Sequence, residues 1–415
     1  MFFKLALKSL LDRKGSVVLA VLAMSVSVFV LLGVEHIRHQ AKASFANAVS
    51  GVDLIVGART GRLNLLLYSV FRIGSPTNNI RWQTYETIAQ SKQVKWSIPI
   101  SLGDSHKGYR VLGTTKAYFE HFSYGKQHSL TFANGKPFQG IFDVVVGAEV
   151  AKKLNYQLGD ELILAHGIAA TSFSKHDDRP FTVVGILAPT GTPVDQTLHV
   201  SLQGIEAIHV GWQQGVKLPG VSASKADLAQ MDLQPKSITA FMLGLESKLA
   251  TFQVQRAINQ YSQEPLLAIL PGVALSQLWQ MIGTLENTLM LVSILVFVAA
   301  CLGVSAMLLS SIRERGHEIQ LLRVIGAPAH FLFLLIQLEA LLITLLSCLI
   351  GLALVTGGFM LVQHYLVASF GLNIDIYPFS THTLYLMAAL IGASLVVSAI
   401  PSISGYRQAR SASSN

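Results

Sequence analysis

Two long apolar runs near the C-terminus constrain the fold most strongly, because a short and densely charged segment separates them. Residues 288–310 contain no charged side chain, and residues 331–362 contain one, Glu339. Each run is long enough to cross a bilayer as a helix. The segment between them must then be a short loop at one membrane face. Its three arginines predict that this face is cytoplasmic, since short cytoplasmic loops carry the excess of Lys and Arg.

The same reasoning predicts two further membrane helices. Residues 15–34 are uncharged and follow a basic, amphipathic stretch, residues 1–14, which we expect to lie along the inner leaflet. A signal peptide is the alternative for this start, but the run is long and no clear small-x-small cleavage site ends it. Residues 383–401 form the fourth run, and Arg407 and Arg410 after it return the chain to the cytoplasm. Both termini are therefore predicted to be cytoplasmic.

The composition agrees with a membrane protein, because 51% of the residues are hydrophobic and only 13% are charged. The net charge of +8 does not indicate nucleic-acid binding. Many basic side chains flank the apolar runs, where they set topology, and no DNA- or RNA-binding motif is present. Cys301 and Cys348 lie inside predicted membrane helices, so neither is expected to form a disulfide or bind a metal.

Residues 35–275 contain no further spanning run and are predicted to form a mixed α+β domain outside the cytoplasm. Segments rich in β-branched and aromatic residues predict strands, and helical periodicity predicts helices between them. The predicted strands are 53–56, 94–100, 109–113, 144–147, 161–165, 181–187 and 198–201, and the predicted helices are 84–91, 149–154 and 248–261. Residues 63–73 are apolar but too short to span. We expect a core helix there, with a membrane-surface or substrate-contacting segment as the alternative.

The predicted fold class is thus an α-helical integral membrane protein with four transmembrane helices and a large α+β domain between the first two. Small residues in the last three membrane helices predict close helix packing. The predicted organisation is a lead-in 1–14, a first membrane helix 15–34, the outer domain 35–275, a stalk with the second helix 276–311, a cytoplasmic loop 312–330, the third helix 331–362, an outer loop 363–382, the fourth helix 383–401 and a tail 402–415.

The cytoplasmic loop has the pattern of a short amphipathic helix. Ile319, Leu322 and Ile325 recur at i, i+3 and i+6, which gives one apolar stripe. Gly326 with Pro328 two residues later is a helix stop. Such a helix either lies in the lipid headgroups or docks into a groove of a partner protein, and the spacing alone leaves both possibilities open.

Residues 313–328 of this loop resemble the signature E-x-x-R-E-I-G-x-L-R-A-L-G-A of the FtsX/MacB/LolC-type permeases of ABC transporters, the mechanotransmission or type VII family. The matching positions are Glu318, Ile319, Leu322, Arg323, Gly326 and Ala327, and Gln320 stands where glycine is common. Residues 337–342 resemble the E-A-L-L stretch that follows in the family. The end of the chain, residues 400–410, is similar to the closing motif of the family but lacks its final proline.

A second resemblance lies in the outer domain. Residues 147–154, 158–161 and 181–187 are similar to the pattern V-I-G-x-x-x-A-x-x-L, then x-G-D, then F-x-V-V-G of the MacB-type periplasmic core domain. The two resemblances lie in different parts of the chain and point to the same family.

The resemblance implies that the cytoplasmic loop is the coupling helix that contacts a separate ABC ATPase. The implied coupling residues are Arg315, Glu318, Ile319, Leu322, Arg323, Ile325 and Gly326. It further implies a bacterial inner-membrane protein that pairs with a second copy or a homologous subunit. The outer domain would move to export or extract a lipoprotein, peptide or small molecule, with a periplasmic accessory protein as a further partner. Regulation of a cell-wall hydrolase and an ATP-independent sensor or scaffold remain alternatives.

The sequence contains no recognisable catalytic motif, and we expect no enzymatic activity in this chain. G-x-S-x-G, H-E-x-x-H and the phosphate-binding loop are all absent, so ATP and Mg²⁺ are expected in the partner ATPase and no cofactor is expected here. His176, His199 and His209 are the best metal-ligand candidates, and surface or core histidines are the preferred interpretation. Glu339 lies inside an apolar span, where we favour a structural or coupling role over proton relay.

Overall fold

The computed structural model describes residues 2–46, 48–167, 177, 179–213, 216–217, 225–314, 328–370 and 381–411. The chain divides into two compact units. The helical unit comprises Met1–Gln40, Ile282–His364 and Ile374–Asn415, and the α/β unit comprises Ala41–Met281 and Tyr365–Asn373.

Long helices lie at the beginning and the end of the described chain, and short strands and helices lie between them. The helices are α1 (Phe2–Asp12), α2 (Lys14–Ala46), α3 (Arg62–Ser69), α4 (Trp82–Ala89), α5 (Ala117–His121), α6 (Ala148–Leu154), α7 (Leu202–His209), α8 (Lys225–Gln230), α9 (Thr251–Asn259), α10 (Pro271–Glu314), α11 (Ala329–Phe370) and α12 (Thr381–Ser411), with 3₁₀ turns at Pro193–Gln196 and Lys248–Ala250. The strands are β1 (Leu54–Ala58), β2 (Ile80–Arg81), β3 (Val94–His106), β4 (Tyr109–Thr114), β5 (Ser123–Tyr124), β6 (His128–Ser129), β7 (Phe132–Gly135), β8 (Asp143–Val146), β9 (Glu161–Leu162), β10 (Ala165–His166), β11 (Phe181–Leu187), β12 (Thr197–Ser201), β13 (Trp212–Gln213), β14 (Val216–Lys217), β15 (Ser237–Ile238), β16 (Ala240–Leu245) and β17 (Leu266–Ile269).

Four helices among the described residues are long and apolar enough to cross a membrane, which confirms the predicted fold class. Their candidate spans are Lys14–Gln40, Pro271–Glu314, His330–Val362 and Thr381–Arg407. The helices continue beyond the apolar runs, because polar residues also sustain helical hydrogen bonding once the chain leaves the hydrocarbon. α10 is one continuous helix of 44 residues, as expected of a stalk that continues into the second membrane helix, and it begins at Pro271, before the predicted start at residue 276. α12 keeps Pro401 within it, although the fourth span was predicted to end there.

The α/β unit is built on one large mixed sheet. Its strand order is β17-β1-β16-β3-β4-β12-β8-β11-β7, with β10 paired to β3 and β9 paired to β11. Most neighbours are antiparallel, but β12 runs parallel to β4 and β11 runs parallel to β8. Leu54 and Val56 of β1 belong to one buried apolar cluster and Ile55 belongs to another. Because successive strand residues point to opposite faces, the sheet is covered on both sides.

The predicted core helix in residues 63–73 is confirmed as α3, which packs directly on β1. Leu65, Leu66 and Tyr68 are fully buried within the α/β unit. The contact is so close that a Cβ atom at Gly57 would lie 2.5 Å from Leu65 Cδ1. The alternative of a membrane-surface segment is therefore wrong for the buried side of this helix.

Two other predicted elements differ from the structure. Residues 161–165 were expected to form one strand, but they contribute to two: β9 pairs with β11, whereas β10 pairs with β3. The chain passes from one partner strand to another over this stretch, so no single pairing can continue. The predicted helix 248–261 is likewise divided into a 3₁₀ turn, Lys248–Ala250, and α9.

The burial of α3 predicts that truncating one of its core side chains lowers the free energy of unfolding. We expect Leu65→Ala to lower the free energy of unfolding by about 2–5 kcal/mol, because it removes a fully buried side chain and leaves a cavity. Leu249→Ala is the matched control, since Leu249 is 94% exposed, and a change within about 0.5 kcal/mol is expected. Urea unfolding of the full chain in detergent, followed by tryptophan fluorescence, measures both. Equal effects of the two substitutions would contradict a core position for α3.

Candidate functional site

The predicted coupling residues lie outside the described residues, but the structure describes both ends of the segment that carries them. Arg315, Glu318, Ile319, Leu322, Arg323, Ile325 and Gly326 fall within residues 315–327. α10 ends at Glu314, and α11 begins at Ala329. The segment therefore connects two candidate membrane spans, as the charge pattern required.

Three long helices meet beside this segment. A Cβ atom at Gly405 of α12 would lie 2.8 Å from Ile336 Cδ1 of α11 and 3.4 Å from Ile312 Cδ1 of α10. Both isoleucines are buried. The absence of a side chain at Gly405 thus lets the end of α10, the start of α11 and the end of α12 pack against one another.

A buried polar network joins Glu339 of α11 to Ser9 of α1 and to Arg13 in the turn between α1 and α2. Arg13 Nη2 donates to Glu339 Oε2 at 3.0 Å, and the hydroxyl of Ser9 donates to the other carboxylate oxygen of Glu339. The same guanidinium nitrogen lies 3.0 Å from Ser9 Oγ, which closes a three-residue network. The carboxylate is almost completely buried. The network gives Glu339 a basic partner, which favours a structural role for this residue.

The acidic partner of the ion pair follows the predicted coupling segment closely in the sequence. Glu339 lies eleven residues after Pro328, which corresponds to about 16 Å along a helix. Removing one partner of a buried ion pair strongly destabilises a protein, because an uncompensated charge stays buried. The network therefore holds α1 and α11 together at this point.

Small and hydroxyl-bearing residues make the other contacts between the long helices. A Cβ atom at Gly351 would lie 2.7 Å from Val28 Cγ1, so α11 approaches α2 closely there. Thr344 and Ser394 hydroxyls lie 2.6 Å apart between α11 and α12. Ser305 of α10 donates to the Val397 carbonyl of α12 at 3.4 Å. Side-chain hydroxyls bridge the helices where hydrocarbon offers no hydrogen-bond partner.

Other small residues that the sequence singled out face open space. Ideal Cβ atoms at Gly303, Gly357 and Gly392 meet no heavy atom within 4 Å among the described residues. The small residues therefore fall into two groups. Gly351 allows close helix packing within the chain, whereas the other three glycines leave helix surface uncovered among the described residues.

A second ionic cluster lies at the start of α12, at the end of this helix opposite Gly405. Glu35 Oε1 of α2 is 2.6 Å from Arg38 Nη2 and 2.9 Å from His382 Nε2. Glu35 is buried, and its carboxylate joins the C-terminal part of α2 to the start of α12. The helical unit thus has a charged network near each end.

The α/β unit contains an open groove of about 930 Å³. Its walls come from the start of α5, the start of α7 and residues 231–235, and they include Lys116 and Glu120. A concavity of this size and mixed polarity can receive a peptide segment or a small molecule.

The structure separates His199 from His209, two of the three histidines that the sequence proposed as metal ligands. His199 is a core residue whose ring lies 5.1 Å from Tyr118 and 5.9 Å from Phe119. Burial, together with nearby Arg72, lowers the pKa of His199 to about 3, so the ring is neutral at pH 7. His176 lies outside the described residues. His209 is half-buried and lies in a different cluster, with Asp104 and His166.

Sequence reasoning did not select Asp104 or His166. The two residues are direct partners in the antiparallel pairing of β3 with β10. The sequence analysis predicts one strand over residues 161–165 and therefore does not predict this pairing. No local spacing links positions so far apart in the chain.

Two protein-family models match the chain. The model described as the FtsX-like permease C-terminal region matches residues 290–409. The model described as the MacB-like periplasmic core domain matches residues 17–261, which is more than half of the chain. No curated protein sequence matches significantly.

Solved structures similar to the chain include two isolated domains. The periplasmic region of MacB from Actinobacillus actinomycetemcomitans is 10% identical with a TM-score of 0.33, and the match covers 55% of this chain and 94% of that one. The extracellular domain of the noncanonic ABC-type transporter YknZ from Gram-positive bacteria is 12% identical with a TM-score of 0.30, covering 52% and 98%.

The ion pair between α1 and α11 can be tested by a double-mutant cycle. We expect Arg13→Ala to destabilise the protein in detergent by about 3 kcal/mol, because it leaves the Glu339 carboxylate buried without its cation. The double variant Arg13→Ala/Glu339→Ala should be less destabilised than the sum of the single variants, with a coupling energy of about 1–3 kcal/mol. Lys8→Ala, at an exposed position of α1, is the control and should change little. Additive effects of the two single substitutions would show that the pair does not hold the helices.

Proposed function

Since the chain belongs to the FtsX/MacB-type family of ABC transporter permeases, we propose that it couples ATP hydrolysis in a separate cytoplasmic ATPase to movement of its periplasmic-type domain. The family is a membrane component of ABC transporters, which agrees with a chain that is not itself an enzyme. ATP and Mg²⁺ would be held by the ATPase subunit. This chain would receive the movement and pass it on.

The continuity of α10 is the observation that carries this proposal. The helix begins two residues after strand β17 of the large sheet and ends at Glu314, directly before the predicted coupling segment. Near its start, Ala274 and Leu275 are buried in the apolar core of the α/β unit. Near its end, Leu308 and Ile312 are buried in the helical unit. A helix without a break, packed at both ends, transmits a displacement along its axis instead of absorbing it in a loop.

The coupling segment would contact the ATPase through residues 315–327. Glu318 and Arg323 would make polar contacts, and Ile319, Leu322 and Ile325 would fill an apolar groove on the ATPase. Arg315 and Gly326 flank these positions in the sequence and would complete the contact. A closing ATPase pair would then move the segment and, with it, the adjoining ends of α10 and α11.

The remaining elements supply a partner surface and a substrate site. Open helix surface at Gly303, Gly357 and Gly392 is suited to a second copy or a homologous permease subunit, because small residues allow close approach of helices. The groove beside Lys116 and Glu120 is suited to a periplasmic substrate or accessory protein. Substrates of this system would be lipoproteins, peptides or small molecules that are held outside the cytoplasm or in the membrane.

The orientation of the chain in a bacterial inner membrane gives the first test. A single cysteine at Leu249→Cys, an exposed position of the α/β unit, should react with a membrane-impermeant maleimide added to cells with a permeabilised outer membrane. Ser414→Cys in the tail should react only after lysis, because the positive-inside rule places the C-terminus in the cytoplasm. Cys301 and Cys348 are buried and are replaced by serine in both variants. Labelling of Ser414→Cys in unlysed cells would overturn the topology.

The coupling segment gives the second test, a detergent pull-down of the tagged chain with mass spectrometry of the proteins that copurify. We expect an ABC ATPase with the wild type and a loss of at least about tenfold with Glu318→Lys/Arg323→Glu, because both polar contacts are reversed in charge. Lys153→Glu/Glu161→Lys, an equivalent reversal at exposed positions of the α/β unit, is the matched control and should retain the ATPase.

The same pull-down separates the possible functions. Retention of the ATPase by the coupling variant, or its absence from the wild type, would contradict the proposal and favour a sensor or scaffold. Copurification of a cell-wall hydrolase together with the ATPase would indicate a regulator of that hydrolase.

A further inference from the structure

Three metal-ligating side chains meet at one place in the α/β unit. Asp104 of β3 and His166 of β10 are directly opposite each other in antiparallel register. His209 is the last residue of α7. The pairing of β10 with β3 and the position of α7 therefore bring together residues from three distant parts of the sequence.

The ligand atoms form a compact triangle. Asp104 Oδ1 lies 3.0 Å from His166 Nδ1 and 3.8 Å from His209 Nε2, and the two imidazole nitrogens are 3.4 Å apart. In a tetrahedral site with metal–ligand bonds of about 2.05 Å, ligand atoms are about 3.3 Å apart. Octahedral coordination with similar bonds would place adjacent ligands at about 2.9 Å. The triangle is closer to the tetrahedral spacing.

The orientation of His209 is that of a metal ligand. Its Nδ1 lies 2.7 Å from the backbone carbonyl oxygen of Ile205. A carbonyl oxygen can only accept a hydrogen bond, so Nδ1 carries the proton and the Nε2 of the neutral ring presents a lone pair to the triangle. Metal-binding histidines characteristically donate their second ring nitrogen to a carbonyl or carboxylate in this way, which fixes the tautomer.

The acceptor atoms of the triangle require a proton or a cation between them. The Asp104 side chain is only 4% exposed, and ionised carboxylates are rarely buried without a compensating charge. A carboxylate oxygen and the Nε2 lone pair of a neutral His209 both accept, so they repel each other unless a proton or a cation lies between them. A proton on His166 Nδ1, in the neutral or the charged ring, would be one solution, and a metal ion bound to all three atoms is the other.

From this geometry we infer that Asp104, His166 and His209 bind one divalent transition-metal ion, with Zn²⁺ as the best match. Two imidazole nitrogens and one carboxylate oxygen are ligands that Zn²⁺ accepts in tetrahedral sites. The two histidine side chains are 28% and 34% exposed, so water could supply the fourth ligand. Sites with three protein ligands and one open position are typical of exchangeable zinc.

Bound metal would crosslink β3, β10 and α7. β10 is a strand of only two residues, and α7 ends at His209 itself, so both elements have few bonds of their own at this point. An ion that binds the folded arrangement more tightly than the unfolded chain stabilises it. The inference concerns the α/β unit alone and does not depend on the proposed coupling to an ATPase.

The experiment uses the full chain in detergent, purified without a polyhistidine tag and stripped with a chelator. Zn²⁺ is titrated in competition with a chromophoric chelator, and we expect one tight equivalent in the wild type. Asp104→Asn and His209→Gln should each weaken this binding by at least about 100-fold, because even residues outside the ligand set cost 10–100-fold. His121→Gln is the matched control: it is half-exposed in the same unit, and its ring stacks on Trp96 at 5.2 Å.

Two further readouts identify the geometry and guard against misfolding. Zn²⁺ should raise the thermal unfolding midpoint of the wild type and the control but not that of His209→Gln, and circular dichroism checks that each variant is folded. Co²⁺ should give the intense visible absorption of a tetrahedral site in the wild type only. If Asp104→Asn does not fold, His166→Gln replaces it.

The inference is overturned if the wild type shows no tight equivalent, which would leave a proton on His166 Nδ1 instead. It is also overturned if all the variants bind Zn²⁺ like the wild type, because the metal would then be held by other histidines. Loss of binding in the triangle variants alone, with the control unchanged, establishes the site.

Discussion

The lack of hydrogen-bond partners in hydrocarbon is the constraint on which the helical unit depends. It requires every backbone polar group of the spans to be satisfied within a helix, and it directs polar side chains toward one another. Ser347 accordingly donates both to its own helix and to the Val21 carbonyl of α2. Gln337 of α11 contacts Ser398 and the Leu395 carbonyl of α12. The same constraint explains why Glu339 is found with Arg13 and Ser9, since an unpaired carboxylate at this depth would be very costly.

The membrane helices could be predicted because length and composition decide whether a segment spans, and both are local properties. The ends of these helices could not be predicted, because a helix that has left the hydrocarbon continues until a capping signal or a tertiary contact ends it. α2, for example, runs to Ala46, well beyond the predicted end at Val34. Strand 181–187 was predicted correctly, and its buried residues alternate along it. The division of 161–165 into β9 and β10 was missed because it is decided by two partner strands that lie elsewhere in the sequence.

The candidate site residues likewise divide into those that a local sequence pattern reveals and those that only the fold brings together. The coupling residues were selected from one continuous motif, so the selection needed no knowledge of the fold. Glu339 was selected because a charge in an apolar run is visible locally, but its partner Arg13 lies 326 positions away. Among the histidines, spacing directed attention to His199, which the fold buries in an aromatic core, and missed His166, which strand register places beside Asp104. Residues joined by long-range pairing leave no periodic trace in the sequence.

The two units neutralise a buried carboxylate with different chemistry, and the difference bears on function. Glu339 is paired with Arg13, whose guanidinium stays charged at every pH that a protein experiences. Asp104 faces two imidazoles, whose charge comes from a proton or a metal ion that can leave. An exchangeable charge suits a domain whose packing responds to what is present outside the membrane. The proposed metal site would therefore make the packing of β3, β10 and α7 depend on the metal content of the surroundings.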